Sequence, residues 1–144
     1  IHGSAMFVVK KVFFRIGGFD KNIFLYFEEN DYCYRGEKKG YKAYQLNRSR
    51  VKKKGQTVES KSNKEKNDLN KLLSWHFIWS KFYYYKKKNG VFITFTIFVP
   101  TFIRTIFKIF ISLMANNKKD LLKYKYRFQG LFSSMLGKKS FFRI

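Results

Sequence analysis

The sequence predicts an α/β unit at the N-terminal end of the chain, followed by basic helices rich in aromatic residues. Two apolar stretches, residues 4–13 and 41–46, have the composition of short strands. The segment between them, from Glu28 to about Lys39, has the features of a helix. From Leu69 onward, apolar side chains recur at helical intervals. The chain has 144 residues, enough for one modest domain.

The first predicted helix begins with three acids, Glu28, Glu29 and Asp31. Acids are favoured there because the first turn of a helix carries a partial positive charge. Asp31 and Arg35 stand four residues apart, so we expect them to pair on one face. Gly40 follows the last basic residues and is a typical helix terminator.

The second half of the chain is predicted to be helical and to lie beyond a polar linker. A basic loop fills residues 47–57, and residues 59–68 are polar. An aromatic helix then runs from Leu69 to the pair Asn89-Gly90, and a last basic helix follows the turn at 116–120. We therefore expect three parts: residues 1–58, a basic linker and aromatic helix at 59–90, and a hydrophobic helical tail at 91–144.

The charge of the chain is distributed unevenly. Its net charge is +22, yet residues 1–35 hold five basic and four acidic side chains, whereas residues 36–144 hold 26 and five. Such a basic tail indicates a polyanionic partner, either an anionic membrane surface or a nucleic acid. A/T-rich coding, which enriches Lys, Ile, Asn and Phe, is an alternative source of this charge that needs no polyanionic partner. The single Cys33 excludes an internal disulfide and indicates a reducing compartment.

The most apolar stretch, residues 91–115, fits three placements. It is long enough to span a bilayer of ~30 Å hydrocarbon. Arg104 and Lys108 argue against a free span, since a central charge costs about 2.5–3.5 kcal/mol. The same stretch fits an interfacial, in-plane or re-entrant helix, and it also fits the core of a soluble protein. Pro100 predicts a kink.

The clustered acids leave several interpretations open. They fit a helix N-terminus that simply carries acids, and they fit a general base supported by neighbouring carboxylates. Their spacing does not match the alternating ligands of an EF-hand loop. His2 and His76 have no metal-ligand spacing, and His76 is expected at the surface or in the core.

A longer pattern adds a resemblance. Residues 2–46 read HGSAMFVVKKVFFRIGGFDKNIFLYFEENDYCYRGEKKGYKAYQL. This stretch resembles the C-terminal half of the catalytic domain in bacterial family 2 glycosyltransferases of the GT-A fold, particularly rhamnosyltransferase-like members. The resemblance covers residues 3–57 and includes the order Gly-Gly-Phe-Asp, an aromatic run, the acid quartet and Cys-x-Arg. It implies a GT-A half-domain without its nucleotide-binding part.

The resemblance also implies roles for particular residues. Glu29 falls where the family usually has an Asp that acts as general base, and its side chain is one methylene longer. Glu28 and Asp31 match the flanking acids. The matched substrate-binding positions are Asp20, Gly3, Ser4 and Lys53. Lys53 stands where the family often has a His, and it fits either a diphosphate contact or a solvated loop charge.

The function implied by the resemblance is an inverting transfer of sugar from a nucleotide-sugar donor to a hydroxyl of a glycan or lipid-linked acceptor. The complete enzyme is expected to use a divalent metal, Mg²⁺ or Mn²⁺, bound mostly by the missing half and not by this chain. The isolated fragment is expected to be inactive. We expect it on the cytoplasmic side of the inner membrane, peripheral or monotopic, with an anionic membrane surface as partner.

Two other classes of function compete with the transferase. One is a non-catalytic, basic, membrane-associated remnant. The other is a nucleic-acid-binding protein, in which basic and aromatic side chains track a phosphate backbone and stack on bases. The apolar block at 91–115 and the lack of a nucleic-acid-binding motif disfavour the second class, so no nucleic-acid partner is expected.

Overall fold

The computed structural model describes residues 5–52 and 62–143, and the only regular elements in these ranges are helices. Its five helices are α1 (Lys10–Ile16), α2 (Glu28–Lys38), α3 (Asn63–Asn89), α4 (Val91–Met114) and α5 (Lys118–Met135). The described residues contain no strand. The α/β prediction, and the GT-A half-domain with it, is therefore wrong, whereas the helices predicted at 28–39 and after residue 69 are confirmed.

Both strand predictions fail for a physical reason. A strand is stabilised by ladder hydrogen bonds to a neighbouring strand, and neither 4–13 nor 41–46 has such a neighbour in the described chain. Residues 41–46 are irregular instead. Part of the first stretch belongs to α1 instead. Phe13 and Ile16 stand three residues apart and therefore face α2 together on one side of this helix. Ile16 is buried, and the Phe13 ring packs on Tyr32 at 5.8 Å between ring centroids.

Helices α1 and α2 form a small head that is closed by a glycine turn and an arginine. Gly17 ends α1 in the left-handed region, at φ 92°, where a residue without a Cβ is favoured. Arg35 of α2 then donates hydrogen bonds to the backbone oxygens of Ile16 and Gly18, at 3.0 and 2.6 Å. The turn is thus fastened to α2, which fixes the segment that leads to the acids.

Helices α3, α4 and α5 form a bundle. Gly90 separates α3 from α4, and α5 packs along both helices. The centre of the bundle is a cluster of four buried side chains: Ile78, Phe82, Phe98 and Leu131. Gly130 lies where α5 comes closest to α3, since a Cβ there would stand 2.4 Å from the Trp75 backbone oxygen. The α3–α5 approach therefore requires glycine at this position.

The segment after α5 folds back onto α3. The Trp79 indole donates to the Lys138 backbone oxygen at 3.1 Å. His76 is completely buried, with Nε2 2.9 Å from the Phe142 oxygen and Nδ1 3.0 Å from the Ser140 hydroxyl. Of the two expected positions for His76, surface or core, the structure shows the core.

Candidate functional site

The acids of α2 follow a turn with an unusual backbone. Tyr26 and Phe27 both adopt left-handed φ angles, 66° and 67°, directly before Glu28. Aromatic residues rarely adopt this conformation, and each such residue typically costs about 1–3 kcal/mol. The surrounding structure must therefore hold the turn in place.

Helix α3 supplies the contacts that hold this turn. The buried Ser80 hydroxyl donates to the Leu25 backbone oxygen at 2.7 Å. The Tyr26 ring meets Phe77 edge-on at 5.5 Å between centroids, and Phe27 packs on Tyr84 at 5.7 Å. These contacts set the direction in which α2 leaves the turn, and with it the position of its first carboxylates.

Two of the predicted site residues, Asp20 and Asp31, meet at Lys87 of α3. The Lys87 ammonium contacts both carboxylates and lies 2.7 Å from Asp20 Oδ2. Asp31 is completely buried and also pairs with Arg35 at 2.7 Å, which confirms the predicted i, i+4 pair. We call Asp20, Asp31, Arg35 and Lys87 the ion-pair cluster.

Asp20 has further donors around it. Tyr83 donates from its hydroxyl to Oδ2 at 3.1 Å, and the Asn22 backbone and side-chain nitrogens approach Oδ1 at 2.9 and 3.0 Å. Burial alone would raise the pKa of Asp20, but the hydrogen bonds from Lys87 and Asn22 outweigh it and lower the pKa. Asp20 therefore stays ionised, as a structural anion.

Glu28 and Glu29 have a different environment. Both are half-buried in the first turn of α2. Glu28 Oε2 is shielded from solvent and accepts no hydrogen bond from a described residue. Burial, and then the negative charge of Glu29, raise the pKa of Glu28 despite a backbone hydrogen bond that lowers it. A carboxylate held in this way is a stronger base than one in water.

A cleft of about 560 Å³ opens along α2 after these acids, and neither Glu28 nor Glu29 is among the residues that line it. One wall is a face of α2 that carries Asn30, Cys33 and Tyr34, and the others are residues 41–44 and Tyr84 of α3. Glu29 lies one turn before Cys33, and burial followed by the charge of Glu29 raises the pKa of the Cys33 thiol. The cleft presents aromatic rings together with amide, hydroxyl and charged groups, a mixture suited to a polyhydroxylated ligand.

Three of the predicted substrate-binding residues, Gly3, Ser4 and Lys53, lie outside the described residues. Within residues 5–52 and 62–143, no three His, Cys, Asp or Glu side chains are grouped closely enough to hold a metal ion. Asp20 and Asp31, the two acids of the ion-pair cluster, are already neutralised by Lys87 and Arg35 together. The described residues therefore do not fit a divalent metal.

Sequence reasoning missed the contribution of α3 to the site. Ser80, Tyr83 and Lys87 are 55 to 67 residues away in sequence from the residues that they contact, Leu25, Asp20 and Asp31. Lys87 belongs to a run of three lysines, residues 86–88, at the end of α3. The only available signal was their helical spacing, because Ser80, Tyr83 and Lys87 recur at intervals that place them on one face of α3.

The chain matches no protein-family model, no curated protein and no solved structure.

Proposed function

We propose that this chain is the acceptor-side part of an inverting glycosyltransferase that uses a nucleotide-sugar donor. The observation that carries the proposal is the half-buried carboxylate pair Glu28–Glu29, which follows a strained turn and directly precedes the residues of α2 that line a polar, aromatic cleft. Strained backbone is concentrated at functional sites, where the surrounding contacts maintain it. The resemblance of residues 3–57 to family 2 glycosyltransferases supplies the reaction.

The reaction needs a base, because a sugar hydroxyl is a weak acid. In the proposed step the acceptor oxygen forms a bond to the anomeric carbon of the donor, and the bond from that carbon to the nucleotide diphosphate breaks. The hydroxyl proton passes to the Glu29 carboxylate, the residue that the resemblance assigns as base. Glu28, whose pKa is raised by burial and by the charge of Glu29, is its neighbour and the alternative base.

Asp31 and Asp20 have another role in this proposal. Each is bound by Lys87, and Asp31 is also bound by Arg35, so neither is arranged to take a proton. They are positioning residues that fix the Gly-Gly-Phe-Asp turn and α2 against α3. Of the three acids that the resemblance places in catalysis, the proposal therefore keeps Glu29 and Glu28 as chemical groups and gives Asp31 a supporting role.

The partners of the proposed enzyme are a nucleotide-sugar donor and a glycan or lipid-linked acceptor. The cleft beside Cys33 is where we place the acceptor, because its tyrosine rings stack on sugar faces while Asn30 provides an amide for hydroxyl groups. A divalent metal would belong to the nucleotide-binding part of the complete enzyme, and no step here depends on it. The site of action is the cytoplasmic face of the inner membrane.

The test is carried out in the complete enzyme. Glu29→Gln keeps the shape of the side chain and removes its basicity, so we expect turnover to fall by ~100-fold or more while donor binding stays within about twofold. Glu28→Gln is measured in parallel to identify which carboxylate is the base. Asp68→Asn is the matched control, because Asp68 lies far along α3 in a surface pair with Lys71 at 2.6 Å.

Unchanged turnover in both glutamate variants would contradict the proposal. The non-catalytic, membrane-associated protein would then be the better description of the chain.

A further inference from the structure

Helix α4 turns hydroxyl-bearing side chains toward the core and large apolar side chains toward solvent. The buried positions include Thr94, Thr105 and Ser112, whose hydroxyls each donate to the backbone oxygen four residues earlier at 2.7 Å. The outward side carries large apolar side chains: Phe92, Val99, Ile103, Phe107, Phe110 and Met114. Phe92 is 88% exposed, and Ile103 and Phe107 are each 60% exposed.

This distribution is the reverse of that on a surface helix in water. A helix of a globular protein normally turns its apolar stripe to the core and its polar residues to solvent. Small and hydroxyl-bearing residues at a helix–helix contact, with large apolar residues outside, are typical of helices in lipid. The outward residues recur at intervals of three, four or seven, so they form one continuous surface along α4. We call this surface the α4 apolar face.

Basic residues border the α4 apolar face. Arg104 and Lys108, four residues apart, are exposed along one edge of it. The start of α5, which packs on α4, carries five basic residues against the single acid Asp120: Lys118, Lys119, Lys123, Lys125 and Arg127. Of these, Arg127 lies over the Phe77 ring of α3, 5.6 Å from its centroid, and is not part of the border. An apolar surface with a cationic border is complementary to an anionic bilayer, which offers acyl chains beneath negative headgroups.

We propose that the α4 apolar face docks on an anionic lipid bilayer, with α4 lying in the plane of the interface. The apolar face enters the acyl boundary, while Arg104 and Lys108 extend to the headgroups. Helices α3 and α5 remain on the aqueous side. This inference does not depend on the transferase proposal, because it uses no residue of the carboxylate site.

Packing decides between an in-plane helix and a crossing one. With 24 residues, or about 36 Å, α4 is long and apolar enough to cross a membrane. Its other face is packed on α5, so a crossing α4 would draw the five basic residues at the start of α5 toward the hydrocarbon or break the packed contact. An in-plane α4 buries its apolar face and leaves those charges at the headgroups.

The first experiment measures sedimentation of the full chain with lipid vesicles. We expect binding to vesicles of mixed phosphatidylcholine and phosphatidylglycerol, and much weaker binding to phosphatidylcholine alone. Phe107→Asp should lower the partition coefficient at least ~10-fold without changing the helical circular dichroism, because Phe107 is outside the packed core. Phe7→Asp is the matched control, since Phe7 is also highly exposed but lies outside α4.

A second pair of variants tests the charged border. Reversing both Arg104 and Lys108 to Glu should reduce binding to anionic vesicles by ~10-fold or more. The double reversal of Lys10 and Lys11 to Glu changes the net charge equally, but α1 is remote in sequence from the docking helix. An equal loss of binding in both double variants would overturn the docking surface and indicate an unspecific charge effect.

Orientation is measured with single cysteines in a Cys33→Ser background. Asn89→Cys and Ala115→Cys flank the two ends of α4. For an in-plane helix, both should react with a membrane-impermeant maleimide that is added outside preformed vesicles. Protection of one end until the vesicles are lysed would show a crossing helix and would overturn the in-plane arrangement.

Two other occupants of the α4 apolar face would also overturn the proposal. One is a second copy of the chain, which would appear as a lipid-free dimer that Phe107→Asp converts to a monomer, without vesicle binding. The other is a nucleic acid, which would appear as salt-sensitive binding to RNA without binding to anionic vesicles.

Discussion

At the scale of single residues, the four acids near the start of the chain divide into two kinds. Asp20 and Asp31 are engaged by cations, and the lowered pKa of Asp20 reflects hydrogen bonds that outweigh its burial. Glu28 is shielded and forms no ion pair with a residue of 5–52 or 62–143, and burial raises its pKa. The pKa of Asp20 is thus lowered and that of Glu28 is raised, because the two carboxylates have different surroundings. Such a difference in pKa separates structural acids from candidate bases.

His76 gives a prediction about pH and stability. Burial, opposed by the hydrogen bond to Phe142, and the nearby charge of Arg143 lower the pKa of His76 below its ordinary 6.5. The unfolded chain therefore binds more protons than the folded chain just below pH 6.5. The stability that the neutral, buried His76 contributes to the folded chain is fully present above pH 6.5, and it is lost as the pH falls toward the lower pKa of the folded state.

We expect the melting temperature to fall on acidification from about pH 7.5 to 5.5, and His76→Gln to flatten this dependence. Thermal melts of both proteins across this range check it, and the difference between them isolates His76 from other titrating groups such as Glu28. His2→Gln, which changes the other histidine of the chain, should keep the slope of the parent. If the melting temperature of His76→Gln depended on pH as steeply as that of the parent, His76 would not be the group responsible.

At the scale of elements, the close approach of α5 to α3 decides how the bundle is built. Trp75, Ile78 and Trp79 of α3 are buried, and α5 meets them through Gly130 and Leu131. Ser134 adds a hydrogen bond from α5 to the Trp79 backbone oxygen at 3.0 Å. Glycine in a helix interior normally costs about 0.5–1 kcal/mol relative to alanine, so its presence in α5 indicates that packing outweighs helix propensity.

Gly130→Ala is the test of this contact. A Cβ would stand 2.4 Å from the Trp75 oxygen and 2.9 Å from Ile78 Cγ2, so α5 must shift away from α3. We expect the free energy of unfolding to fall by about 1–3 kcal/mol even though alanine favours helices. Urea unfolding followed by circular dichroism measures it. Gln129→Ala, at the exposed neighbouring position, should be neutral or slightly stabilising, and a stabilised Gly130 variant would refute the close contact.

At the scale of the whole molecule, the ion-pair cluster joins the α1–α2 head to the bundle. Lys87, in the last turn of α3, reaches Asp20 in the turn after α1 and Asp31 in α2. A basic bundle therefore attracts a head that contains five of the chain's nine acids. If the α4 apolar face lies on a membrane, the same junction holds the carboxylate pair and the cleft at a defined distance from the lipid surface.

Lys87→Met should loosen this junction. We expect the free energy of unfolding to fall by about 1–3 kcal/mol, less than the 3–5 kcal/mol typical of a broken buried ion pair. The loss is smaller because Arg35 still neutralises Asp31 and because 29% of the Lys87 side chain is exposed to solvent. Hydrogen exchange should rise in α2 and in the turn at 17–27 more than in α5. Lys86→Met, one residue earlier, is the control. If α2 and the turn at 17–27 were equally protected from hydrogen exchange in Lys87→Met and Lys86→Met, the ion-pair cluster would not be what joins the head to the bundle.

Features that depend on neighbouring residues could be predicted from the sequence, whereas features that depend on contacts between distant residues could not. The i, i+4 pair of Asp31 and Arg35 and the end of α3 at Asn89-Gly90 are local features, and the sequence indicated both correctly. The last helix was also predicted, but α5 begins at Lys118, inside the turn predicted at 116–120. The strands at 4–13 and 41–46 were predicted wrongly because a strand is defined by its partner, which local composition does not contain. The role of Lys87 was missed for the same reason.

The sequence by itself determined the helical second half, the separation of a nearly neutral head from a basic tail, and the gathering of acids at the start of α2, because these follow from neighbouring residues and composition. Only the tertiary structure decided which acids are neutralised, that Tyr26 and Phe27 are held in a strained turn, and which side of α4 faces outward. The physical reason is that charge pairing, strain and burial depend on atoms that are distant in sequence, and these meet only when α3 packs against the head and α5 against α4.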